Sequence, residues 1–84
     1  MSKHRRTWRA IHAKRTQGNI PWKDIEALME FLGAEITEGN GSRVRIVLRG
    51  VSAYFHRPHP EKETDKGAVV DARDFLDAAG VDEP

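Results

Sequence analysis

A chain of 84 residues with 14 Lys or Arg, 13 Asp or Glu and a formal net charge of +1 has room for one modest core and none for a separate cofactor domain. It has no cysteine, so disulfides and thiolate metal sites are excluded and packing must supply the stability. No segment approaches the ~20 apolar residues of a membrane span and the basic start lacks a signal-type apolar run, so a soluble, cytoplasmic protein is expected.

Residues 3–15 are good helix formers with Trp8, Ile11 and Arg15 at helical spacing, which predicts a short amphipathic helix. Charge is uneven along the chain. Residues 1–57 hold 11 Lys or Arg against 5 acids, and residues 58–84 hold 3 against 8. Lys3, Arg5, Arg6, Arg9, Lys14 and Arg15 all precede the first acid, a pattern that suits either a polyanion, through counterion release, or a plain solvated helix face.

After a break at residues 16–19, Pro21 suits a first helical position and Asp24 and Glu26 favour the positive end of the dipole. Trp22, Ile25, Leu28, Met29 and Leu32 make the apolar face, and Gly33 stops the helix. Three strands are predicted next, at 34–37, 42–48 and 51–56, with a turn at Gly39, Asn40 and Gly41 and a two-residue hairpin at Arg49 and Gly50. That hairpin sets the register. Leu48 faces Val51, Ile46 faces Ala53 and Val44 faces Phe55 on one side; Val47 faces Ser52, Arg45 faces Tyr54 and Arg43 faces His56 on the other.

Residues 57–67 form a polar loop whose prolines, Pro58 and Pro60, cannot continue a ladder. A last helix over 68–79, capped by Thr64 or Asp65, buries Val69, Ala72, Phe75, Leu76 and Ala79, turns Asp71, Asp74 and Asp77 outward and ends at Gly80; residues 81–84 are expected to fray. The expected fold is therefore α+β: a two-layer α-β-β-β-α domain of double-stranded RNA-binding type with an extra N-terminal helix. The whole chain reads as a single domain, with residues 1–19 a basic helix and linker and residues 20–81 the core.

The open sheet face gathers Arg43, Arg45, Tyr54 and His56, residues able to grip phosphate and stack on a base, or simply to form a polar outer face. Pro21 to Gly33, the Gly41 and Ser42 pair opening a strand, His59 after a proline, and Lys66 and Gly67 opening the last helix together resemble the HicA family over residues 20–81. The basic first helix and the run Phe55, His56, Arg57, Pro58, His59, Pro60 look like a subgroup with an N-terminal extension.

The resemblance implies a toxin of a type II toxin-antitoxin pair, an mRNA interferase that needs no metal or other cofactor, neutralised by a HicB-like antitoxin covering its active site. Members of that family carry a histidine directly after the Gly-Ser pair, where this chain has Arg43. Arginine keeps its proton, so Arg43 can stabilise a charged phosphate and cannot act as an ordinary base. His56, across the hairpin, is the first candidate for the displaced base, and His59 the second. Ser42, Arg43, Arg45, Tyr54 and Arg57 are the candidate RNA contacts.

His4 and His12 belong to the basic helix and suit phosphate or solvent rather than catalysis. His56 and His59 lack a third ligand of clear spacing, so no metal site is expected, and the aspartates of the last helix read as a solvated stripe or a dock for a basic partner. Two functions stay open: a toxin ribonuclease with a rearranged site, or a catalytically inactive RNA-binding or protein-interaction module on the same fold.

Overall fold

In a computed structural model, which describes residues 2–84, the chain runs α1 (Lys3–Ile11), β1 (Ile20–Pro21), α2 (Trp22–Phe31), β2 (Glu35–Glu38), β3 (Arg43–Leu48), β4 (Val51–His56), β5 (Glu63–Thr64) and α3 (Lys66–Ala79). The three longer strands form an antiparallel sheet in the order β2-β3-β4. With three helices beside it, this is the expected α+β architecture.

The hairpin forms because Arg49 (φ 50°) and Gly50 (φ 81°) both take the left-handed conformation that a tight two-residue connection between twisted strands requires. It enforces the predicted register residue for residue, from Leu48 opposite Val51 to Arg43 opposite His56. Val44, Ile46, Leu48 and Phe55 are thereby buried toward the helices. Against them pack Trp22, Ile25, Leu28 and Met29 of α2 and Val69, Ala72, Phe75 and Leu76 of α3, in one continuous core. Phe55 is the aromatic centre, with ring centroids 5.6 Å from Trp22 and 6.0 Å from Phe75.

Both termini of α3 follow from side-chain chemistry. The Asp65 carboxylate accepts from the Ala68 N–H at 2.8 Å, and Gly80 (φ 70°) ends the helix in the left-handed conformation.

Several expectations are corrected. Helix α1 ends at Ile11, not Arg15: His12 caps it, its backbone N–H closing the last turn on the Trp8 carbonyl at 3.0 Å and its Nδ1–H donating to the same oxygen at 2.9 Å. Pro21 is the cap of α2 rather than its first residue, since Ile20 and Pro21 are held extended opposite Thr64 and Glu63. The loop expected at 57–67 thus contributes a strand, β5, and its Lys62 carbonyl accepts from the Trp22 N–H at 3.0 Å, satisfying a donor at the start of α2.

The C-terminal residues do not fray either. Val81 is buried, the Pro84 carbonyl accepts from Arg5 Nε at 2.9 Å, and the Glu83 carboxylate takes Arg9 Nε and Nη2 at 3.0 and 3.2 Å. Helix α1 packs across α2 and α3, and Ile11, with no exposed surface, belongs to the common core.

Candidate functional site

The outer face of the sheet is built by alternation: with Val44, Ile46 and Phe55 turned in, Arg43, Arg45, Tyr54 and His56 must turn out, and all four are exposed. Arg43 sits opposite His56 as a non-hydrogen-bonded pair, the kind in which Cα atoms approach to about 4.5 Å and side chains are closest. The backbone confirms the assignment. The Arg57 N–H bonds the Ser42 carbonyl at 2.8 Å, whereas Arg43 directs its own N–H and carbonyl toward the preceding turn, to the Asn40 carbonyl at 3.1 Å and the Gly39 N–H at 2.7 Å.

Gly39 is required for that turn. A Cβ there would meet the Arg43 carbonyl oxygen at 2.9 Å, so only glycine lets the turn close onto the start of β3 and fix where Arg43 emerges. The Arg43 guanidinium then lies over the Tyr54 ring, 4.1 Å from its centroid. This contact orients the cation and leaves its N–H groups available, while Tyr54 remains 57 % exposed. Sequence alternation predicted that the two share a face; the diagonal stacking is added by the structure.

Arg57 behaves differently from the other candidate contacts. Alternation past His56 turns it toward the helices, where Nε and Nη2 bind Glu26 Oε2 and Oε1 at 2.7 and 3.0 Å and Nη1 binds Glu38 Oε1 at 2.6 Å. Glu26 also accepts from Trp22 Nε1. The two carboxylates raise the Arg57 pKa further, and its hydrogen bond holds the Glu38 carboxyl below the usual carboxylate range. Arg57 is therefore spent on joining α2, β2 and β4 beneath the sheet and is not brought together with Arg43 and Arg45.

Ser42 is exposed in the turn just before β3, beside the face but not within it. His59 is exposed in the loop after β4, where it lines a groove of about 420 Å³ with Trp22, Lys23 and Lys62. His56 makes no side-chain hydrogen bond to another described residue. Among the described residues, no three His, Asp or Glu side chains are grouped to hold a metal ion.

The basic helix is more occupied than its charge suggests. Lys3 pairs with Asp24 at 3.0 Å, and Arg5 and Arg9 are engaged by the C-terminal residues. The Glu83 hydrogen bond raises the Arg9 pKa, and Arg9 in turn keeps Glu83 below the usual carboxylate range. His4 stacks on Phe31, with centroids 4.5 Å apart; His12 stacks on Trp8 and places Nε2 3.1 Å from Asp77, which stays exposed with Asp71 and Asp74 on the outer side of α3. No helix of the described residues is long and apolar enough to cross a membrane.

Comparison with known proteins agrees with this arrangement. No curated protein and no solved structure matches the chain significantly. The family model for the HicA toxin of bacterial toxin-antitoxin systems matches residues 22–81, from the first residue of α2 to the buried Val81 after α3. With that match covering most of the 84 residues and the helix, sheet and helix it spans all in place, the chain belongs to the HicA toxin family and is the toxin of a toxin-antitoxin pair, with a cognate antitoxin as its partner.

Proposed function

We propose that this toxin is a cytoplasmic mRNA interferase that binds RNA on the outer sheet face, cleaves it without a metal ion and is neutralised by a HicB-like antitoxin. The observation that carries the reading is Arg43 directly opposite His56, with its guanidinium held on the Tyr54 ring. Arg43 and Arg45 take the phosphate oxygens, for which the guanidinium fork is suited, and Tyr54 flanks an unpaired base.

In this scheme the His56 imidazole takes the proton of a ribose 2′-hydroxyl, whose oxygen attacks the adjacent phosphorus. The bond to the 5′-oxygen breaks, a 2′,3′-cyclic phosphate forms, and the leaving oxygen takes a proton from solvent. Imidazole exchanges protons near neutral pH, as the step demands. Arg43, permanently charged, stabilises the five-coordinate phosphorane. His59, beside Lys23 and Lys62, is the second candidate for proton transfer.

A second reading is supported by the same face. With no side-chain hydrogen bond to another described residue to orient its ring, His56 lacks the partner that usually accompanies a catalytic imidazole, which favours an RNA-binding toxin that does not cleave. The test is incubation of antitoxin-free protein, in chelator, with a mixed-sequence RNA and its 2′-deoxy counterpart, for the native chain and His56→Ala. Cleavage of RNA alone, abolished by the substitution, is expected; intact RNA that shifts on a gel would leave the binding reading standing.

A further inference from the structure

Strand β4 is an edge of the sheet, and it is an unguarded one. Because Leu48 and Val51 flank a two-residue turn and Arg57 bonds Ser42, the residues of β4 that bond β3 are Val51, Ala53 and Phe55. The N–H and carbonyl groups of Ser52, Tyr54 and His56 point the other way, and they bond no other described residue. Six residues of regular pairing carry no bulge, proline, lysine or acid. The opposite edge, β2, is only four residues long and has glutamates at both ends, the usual protection against unwanted pairing.

Beside the β4 edge runs a groove of about 330 Å³ shared with α3. Val51, Ala53 and Phe75 give it an apolar lining, and the exposed Asp71 and Asp74 supply an acidic one. A strand added at the usual ~4.8 Å spacing would enter this groove, bonding the outward amides and placing alternate side chains against α3.

We propose that the edge of β4 accepts an extended segment of the cognate antitoxin as a fourth strand, whose Lys or Arg side chains reach Asp71 and Asp74. A second copy of this chain fits less well. Symmetric pairing of two β4 edges would bring Asp71 and Asp74 of one copy toward those of the other, a like-charge contact. The side chains of the added strand that face away from α3 would lie next to Tyr54 and His56, so the same contact that holds the partner obstructs the outer face. The inference rests on family membership, and not on whether that face cleaves RNA.

Amide hydrogen exchange of the isotope-labelled chain, alone and in the purified toxin-antitoxin complex, tests the strand directly. Ser52, Tyr54 and His56 amides are expected to slow about a hundredfold or more on complex formation, while Ala53 and Phe55, already paired, change less. Unchanged exchange at those three amides, or protection in a free chain that runs as a dimer, would overturn it.

Two variants address the partner's chemistry. Asp71→Lys with Asp74→Lys should raise the Kd for the antitoxin about tenfold at low salt, with the difference shrinking at high salt and RNA cleavage by the free chain unaltered. Ser52→Pro removes an outward N–H without touching the β3 ladder and should also weaken the complex. If the charge-reversed variant folds and binds as the native chain does, the basic strand is ruled out, whatever the proline variant does.

Discussion

Arg57 grips Glu26 with two arms of its guanidinium, at 2.7 and 3.0 Å, across 31 residues of sequence. The pair ties the end of β4 to α2, and the third nitrogen reaches Glu38 at the end of β2. Glu26 keeps only 17 % of its side chain exposed, so losing the arginine leaves a half-buried carboxylate with one donor, Trp22. Arg57→Ala should lower unfolding free energy by about 2 kcal/mol, seen as a reduced urea midpoint at unchanged m-value. Arg57→Lys, which cannot reproduce the two-armed geometry, should recover only part of it.

Acid should weaken this protein through its carboxylates. Glu38 and Glu83 are held below their usual value near 4.5 by hydrogen bonds from Arg57 and Arg9. The unfolded chain therefore binds more protons in the window between the folded and unfolded values. Stability is complete above the unfolded value and is lost as pH falls through the folded one. Melting temperatures between about pH 3 and 6 should rise with pH, and Glu38→Gln with Glu83→Gln should flatten the slope. An undiminished slope in the double variant would assign the pH dependence to other groups.

Helix α1 should be inseparable from the rest of the core. Ile11 has no exposed surface, and its truncation to Ala is expected to cost about 2–4 kcal/mol, measured by denaturant unfolding. An independent, loosely attached helix would instead show a small change confined to its own amides.

The two sides of the sheet should answer differently to arginine removal. Arg45→Ala should weaken RNA binding and reduce the slope of log affinity against log salt by about 0.7 to 0.9, the signature of one lost phosphate contact. Arg57→Ala, once corrected for the folded fraction, should leave that slope unchanged. Filter binding over a salt series measures both.

The hairpin was readable in the chain because Arg49 and Gly50 sit between runs that alternate without interruption, and the whole outer face follows from that single register. The Ile20–Pro21 pairing with Glu63–Thr64 was not, since a two-residue bridge has no period and one of its members is proline. Arg57 had a visible signal: continuing the alternation one residue past His56 turns it inward. Val81 had one as well, an apolar residue directly after a helix-ending glycine, which commonly packs back onto the helix. The ion pairs of Arg5 and Arg9 with the last residues join positions more than 70 apart, beyond any local pattern.

Whether an arginine in this sheet faces outward or toward the helices is a matter of parity. Arg43 and Arg45 lie on odd steps of one strand, and Arg57 continues the other strand on the step that faces the core. One residue inserted into β4 after Ala53 would turn Phe55 to solvent, drive both Tyr54 and His56 toward the core and release Arg57 from Glu26; a second insertion would restore the original sidedness. Length variation within these two strands should therefore be tolerated only in steps of two.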